Sequence, residues 1–313
     1  MPTFFGLLYI DLNEDSAVNL DYKSKSNSVA IYLNNAIILS KTLAENNIQY
    51  ILLTNNKKYL ESILPSSANI SIKEIIFTTH VPSGLKFYSA HFKLDAFKYI
   101  ANLKISYAVL CDLDIVCITP IPKSFTNLVL NKTSLVYDIT DQIHPAYGEN
   151  LIISDTEKLT KKIGEGRWYG GEFIAGDPKF FLKLSDKITS IYQNYLESTS
   201  SLHHVGDEAY STAAISLLKL EGEKIEDAGT LGIIGRYWSV NTLHHQRPFE
   251  YFENCFLLHL PADKLFLSNY LVCNSNEAPI SKKFIISYKK NVVNKKTRVL
   301  KKGLKDLYKF LFL

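Results

Sequence analysis

The stretch Tyr107-Ala108-Val109-Leu110-Cys111-Asp112-Leu113-Asp114 sets the architecture of the chain. Five apolar residues in a row, with no polar alternation, read as a strand buried on both faces, the signature of a central position in a parallel sheet. Asp112 and Asp114 then arrive at its carboxyl end, where open α/β sheets bind their ligands. If the chain stays extended, both carboxylates point to one side and Leu113 to the other. That geometry suits one hard cation, Mn²⁺ or Mg²⁺, shared with phosphate oxygens. Two exposed loop aspartates are the plainer reading, and an Asp-x-Asp alone is a weak signal. Its place after an apolar strand, about a hundred residues into an α/β pattern, strengthens it.

On either side of this strand, Phe4–Ile10 and Gln49–Thr54 read as buried strands and Ile72–Phe77 as a third. Helices are expected over Ser28–Asn46, where Val29, Leu33, Ile37 and Leu43 keep one apolar face, near Lys57–Leu64 before Pro65, and over Ser89–Leu103. Strands alternating with helices imply an α/β sheet covered on both faces. Further on, Leu135–Asp138 reads as a strand, Thr156–Ile163 as a short helix and Trp168–Gly176 as a glycine-rich turn around an apolar pair. Helices follow at Pro178–Leu196 and Gly206–Leu220, and Cys255–Leu260 is a late strand carrying His259.

The 313 residues, 46% hydrophobic and 21% charged, are ordinary for a globular protein and exclude disordered or multi-span membrane classes. Cys111, Cys117, Cys255 and Cys273 form no Cys-x-x-Cys pair and read as reduced core residues. Phe4–Ile10 is too short to cross a bilayer, and the N-terminus lacks a signal peptide's cationic flank and cleavage site, so a cytoplasmic location is expected.

Net charge is +4, but the segment from residue 282 onward carries +10 and the body −6. A mildly acidic body argues against a nucleic-acid partner. In the tail, Leu300, Leu304, Leu307, Tyr308 and Leu311 fall at helical spacing, with Lys301, Lys302, Lys305 and Lys309 elsewhere on the helix. Such a basic amphipathic helix suits an anionic membrane surface, although packing on a partner subunit would use the same pattern. The expected division is therefore a domain over 1–280 and a tail over 281–313.

In this order the motifs resemble those of GT-A glycosyltransferases, in particular glycosyltransferase family 8 and its bacterial lipopolysaccharide and capsule relatives, over about residues 1–265. The resemblance implies a single GT-A-like nucleotide-diphospho-sugar transferase domain with a mixed, mostly parallel sheet. The implied ligands are Mn²⁺ or Mg²⁺, a nucleotide-sugar donor (a UDP-hexose) and a saccharide or lipid-linked glycan acceptor. Reaction with retention of configuration at the inner face of the cell membrane is implied as well.

Residue by residue, Asp112, Asp114 and His259 would hold the metal. Lys93 stands on the helix where the family places a basic phosphate-binding residue, and Lys264 follows His259 as a diphosphate ligand, one residue short of the family spacing and without its glycine. Gly170 and Gly171 would let the backbone approach the sugar, and Glu172 replaces a residue of the family's Asn-x-Gly loop. Asp207 would bind a sugar hydroxyl, with Glu208 near the anomeric carbon. Acids at a helix N-terminus are also stabilising in themselves. His203, His204, His244 and His245 show no ligand spacing and stay unassigned.

Two other readings remain open on the residues. A haloacid-dehalogenase-like phosphatase also places Asp-x-Asp after an apolar strand, although there it opens the domain, and Pro120 and Pro122 disfavour the usual continuation. A non-catalytic membrane-peripheral protein with a glycosyltransferase fold would share the same core.

Overall fold

The computed structural model describes residues 1–10, 25–66, 68–274, 281, 283–295 and 297. In chain order the elements are β1 (Thr3–Leu8), α1 (Lys25–Ala44), β2 (Gln49–Thr54), α2 (Lys57–Ile63), β3 (Ser71–Glu74), α3 (Lys93–Ala101), β4 (Ala108–Cys111) and β5 (Ile115–Cys117). They continue with α4 (Lys123–Leu130), β6 (Ser134–Asp138), α5 (Thr140–Tyr147), α6 (Glu149–Thr160), β7 (Tyr169–Gly176), α7 (Pro178–Ser198), α8 (Asp207–Leu220), β8 (Ile225–Asp227), β9 (Ile234–Arg236), β10 (Leu257–His259) and α9 (Lys264–Asn274).

A seven-stranded sheet runs in the order β3-β2-β1-β4-β7-β6-β8. The N-terminal strands pair in parallel, as the buried runs require, while β7 lies antiparallel to both β4 and β6. The segment expected to be a glycine-rich turn is therefore a strand, and all eight of its residues are buried. Gly170 and Gly171 obscured it, because glycine packs no side chain on a pleated surface and is depleted in strands.

Helix α1 packs with α9, and α3, α6, α7 and α8 pack among themselves. Helix α7 begins where Asp177 accepts a hydrogen bond from the Phe180 amide at 3.0 Å, with Pro178 in the first turn, a favourable start on both counts.

A small second sheet, β5-β10-β9, assembles the site. Antiparallel pairing sets His259 of β10 opposite Ile115, one residue past Asp114, and parallel pairing sets it beside Arg236 of β9. The Leu260 amide donates to the Asp114 carbonyl at 2.9 Å. On the large sheet, Cys111 opposes Phe173, and the Asp112 amide donates to the Glu172 carbonyl at 3.1 Å. Backbone register alone thus gathers Asp112, Asp114, Glu172, Arg236 and His259.

Cys111, Cys117 and Cys255 are buried free thiols, as core cysteines should be. Residues 283–295 are helical and lie against the body: Phe284, Tyr288 and Val292 are buried, and the Tyr288 hydroxyl donates to buried Asp263 at 2.7 Å. The amphipathic stretch expected at Leu300–Leu311 lies outside the described residues. Among the described residues no helix is long and apolar enough to cross a membrane.

Candidate active site

Asp112, Asp114 and His259 each present a ligand atom, and these atoms lie within 4.8 Å of one another. His259 Nε2 is 3.2 Å from Asp114 Oδ1 and 3.9 Å from Asp112 Oδ2. Its Nδ1 is 3.3 Å from Glu172 Oε1. A carboxylate on Nδ1 fixes the ring and directs Nε2 toward the two aspartates, the arrangement that metal-binding histidines require. Glu172 is 1% exposed and does not line the cavity, so it stands behind the imidazole rather than facing a substrate.

Two lysines grip the aspartates. Lys93 Nζ lies 2.7 Å from Asp112 Oδ1 and 2.7 Å from Asp207 Oδ2, and donates to the Gly171 carbonyl at 2.9 Å. An ammonium has three protons, and these contacts use all three. Lys93 therefore ties β4, β7 and α8 together at the site. Lys264 Nζ lies 2.5 Å from Asp114 Oδ2 and donates to the Pro261 carbonyl at 2.8 Å.

The glycines make room for these carboxylates. A Cβ on Gly171 would sit 2.1 Å from Asp207 Oδ2, and one on Gly170 would sit 2.0 Å from Glu172 Oε2. Each pairs the backbone of β7 with a buried acid that any larger residue would displace.

Sequence reasoning missed Arg236. It is 3% exposed, its Nη1 lies 3.5 Å from both Glu172 Oε1 and Glu208 Oε1, and its Nε donates to Gln142 Oε1 at 3.0 Å. Glu208 Oε2 accepts from Trp168 Nε1 at 3.0 Å. Asp207 and Glu208 thus do more than favour a helix start: one is locked to Lys93, and the other lines the cavity between Arg236 and Trp168. The run Ile233-Ile234-Gly235-Arg236, a charge ending an apolar stretch, was the available signal.

The electrostatics favour a divalent cation. Five carboxylates (Asp112, Asp114, Glu172, Asp207, Glu208) face three permanent cations (Lys93, Arg236, Lys264), so the acids outnumber the fixed cations by two, and burial raises the Asp112 carboxyl above its ordinary value despite Lys93. Burial drives the His259 pKa down, but Asp114 and Glu172 outweigh it and push it up to about 9. Burial drives the Glu172 carboxyl up, yet Arg236 and His259 outweigh that and hold it at about 2. Asp114 is likewise held below the usual carboxylate range, because Lys264 and His259 overcome the effect of burial. Two aspartates and one imidazole around a negative centre form a donor set suited to Mn²⁺ or Mg²⁺, and the residues fit such an ion.

The cavity above this centre holds about 560 Å³, within the range of ligand sites. Its lining joins Leu7, Leu8, Tyr9, Val29 and Tyr32 with Asp112, Asp114, His259 and Lys264 and with Trp168, His203, His204, Arg236, Trp238 and His244. Three of the four histidines left unassigned by sequence meet here.

No protein-family model matches this chain, and no curated protein matches its sequence. Among solved structures, an active-site mutant of LgtC aligns with a TM-score of 0.50 at 12% identity, over 83% of this chain and 87% of that one. Galactosyltransferase LgtC in complex with donor and acceptor sugar analogues aligns at 0.48 and 12% identity, over 85% and 95%. Mouse xyloside xylosyltransferase 1 aligns at 0.49 and 11% identity, over 84% and 98%. The first of these likenesses shows the fold: this chain has the GT-A-like glycosyltransferase architecture, as its motif order implies, rather than a dehalogenase-like one.

Proposed function

We propose that this protein is a metal-dependent glycosyltransferase that moves a hexose from a UDP-linked donor to a hydroxyl of a saccharide or lipid-linked glycan. The reading includes retention of configuration, a role in bacterial surface-polysaccharide synthesis and a place on the cytoplasmic face of the membrane. The observation that carries it is the convergence of Asp112, Asp114 and His259, from strand ends far apart in the sequence, in the lining of a cavity in a GT-A-like fold. The UDP-hexose and the retained configuration follow the resemblance to family 8. Sugar transfer as the class rests on the glycosyltransferase architecture together with this site.

Asp112, Asp114 and His259 Nε2 would hold the ion, which when bound supplies Lewis-acid neutralisation of the donor diphosphate. Lys93 commits its charge to Asp112 and Asp207, fixing their positions, while Lys264 sets Asp114. In the transfer the bond from the anomeric carbon to the β-phosphate oxygen breaks, and its electrons leave with the diphosphate. The acceptor oxygen bonds to that carbon, and its proton passes to the departing phosphate. Glu208, held by Trp168 and Arg236 and facing the cavity, places a fixed negative charge where the anomeric carbon turns positive.

The division into a domain over 1–280 and a tail over 281–313 belongs to the same proposal: the domain binds the donor, and the basic tail, whose stretch 283–295 also packs on the body, brings it to anionic lipid. A thermal-shift screen of nucleotide sugars with and without Mn²⁺ tests the donor reading. A donor at 100 times its dissociation constant should stabilise the fold by about 2.7 kcal/mol, and only with metal present. No stabilisation by any nucleoside diphosphate sugar would remove the reading.

A further inference from the structure

One part of the cavity lining is built of aromatic and imidazole rings. Five rings follow one another along it: Trp168 lies 4.6 Å from His203, His203 4.8 Å from Tyr147, Tyr147 6.1 Å from His244 and His244 5.9 Å from Trp238, centroid to centroid. The arc is held in place. Buried Asp155 accepts from His203 Nδ1 at 2.7 Å and from the His203 amide at 2.8 Å, and Trp168 is tied to Glu208.

Three polar atoms of residues lining this chamber are buried and have no hydrogen-bond partner: Arg236 Nη2, Trp238 Nε1 and His244 Nδ1. Buried polar atoms are nearly always paired, and each left alone costs on the order of 1–3 kcal/mol. Three together in a cavity wall are what a polar ligand would satisfy. Two of them are obligate donors, on an indole and a guanidinium that the fold already fixes.

Charge narrows the ligand. The Arg236 guanidinium is already faced by Glu172 and Glu208, each at 3.5 Å, and Glu208 itself lines the cavity. An incoming carboxylate would meet Glu208 with no uncompensated cation beside it. An arc of rings tilted 49–80° to one another, with donors beside it and no net positive charge, matches a pyranose, whose C–H face packs on a ring while its hydroxyls accept and donate.

We propose that this chamber is the acceptor subsite and that it selects an uncharged pyranosyl unit, with Arg236, Trp238 and His244 reading its hydroxyls. The assignment deepens the glycosyltransferase reading and rests on it for the word acceptor.

Both tryptophans of the chain stand in the arc, so intrinsic fluorescence reports on this chamber. The intact chain, with UDP and Mn²⁺ present, is titrated with methyl glucosides, methyl galactosides and methyl glucuronide. A saturable change in emission is expected for at least one neutral glycoside, with the glucuronide at least tenfold weaker. Trp238→Phe, which keeps a ring and removes the N–H, should weaken the neutral glycoside on the order of fivefold, as loss of one hydrogen bond does. His244→Ala should weaken it at least as much, with Trp168 still reporting. Neither substitution should move UDP affinity measured by calorimetry. A glucuronide that binds as tightly as the neutral sugars, or no response to any neutral glycoside while UDP still binds with Mn²⁺, overturns the chamber assignment and leaves the donor site standing. Failure of UDP itself to bind sinks the underlying reading instead.

Discussion

Replacing Arg236 with methionine removes the one guanidinium that compensates Glu172, which is 1% exposed. The ordinary glutamate pKa of 4.5 falls to about 2 in this site, a difference equivalent to about 3 kcal/mol of stability. That contribution is present above pH 4.5 and is lost as pH falls through about 2. Without Arg236, only His259 is left to offset the burial of Glu172, so the carboxyl pKa rises from its lowered value and part of that stability is lost. Removing one partner of a buried pair typically costs about 3–5 kcal/mol. Urea unfolding followed by circular dichroism should therefore show a loss of that size at pH 7.5. A loss below about 1 kcal/mol would refute the placement of Arg236 as the counter-charge of Glu172.

Three further outcomes follow from the same geometry. Asp207→Asn and Glu208→Gln should each cut turnover by about two orders of magnitude, since oriented polar groups in such sites contribute roughly 3 kcal/mol. If they serve only the start of α8, melting temperature drops and turnover survives, so both are measured on the same samples. The His259 imidazole holds a proton up to about pH 9, against an ordinary value of 6.5. Metal binding must displace that proton, so Mn²⁺ affinity should climb as pH rises from 6.5 to 9; calorimetry in buffers of different ionisation enthalpy should record about one proton released, and a pH-independent affinity would count against His259 as a ligand. Deleting residues 298–313 should release the protein from anionic vesicles, because each basic residue near such lipid contributes about 1 kcal/mol. Deletion from 283 should in addition cost several kcal/mol, since Phe284, Tyr288 and Val292 are buried; urea unfolding and vesicle sedimentation separate the two cases.

The strand before Asp112 was legible because five apolar residues in a row fit a buried strand and little else, and helix α1 was legible because Val29, Leu33, Ile37 and Leu43 keep one apolar face. The site's outline was legible where a ligand type ended an apolar run, as at Asp112, Asp114 and His259. Strand β7 was not, because its two glycines hid a run whose burial depends on β4 and β6 on either side. Arg236 was hidden because its meaning comes from the pairing of β9 with β10, which joins residues of three distant segments. Lys93 was found, but its role differs: a lysine expected to face phosphate is saturated by Asp112, Asp207 and the Gly171 carbonyl, which only the tertiary contacts reveal. The histidine pairs near 203 and 244 carried no spacing signal, since an aromatic arc built from separate loops has none.

Affinity for UDP, measured by titration calorimetry at pH 7.5 with Mn²⁺ present or chelated, for the native chain, Asp114→Ala and His259→Ala, is the decisive measurement. Mn²⁺ should raise the native affinity at least tenfold and leave both variants nearly unchanged, because Asp114 and His259 are two of the three side chains that would hold the ion. Equal affinity across all six conditions would contradict the metal site and, with it, the glycosyltransferase reading.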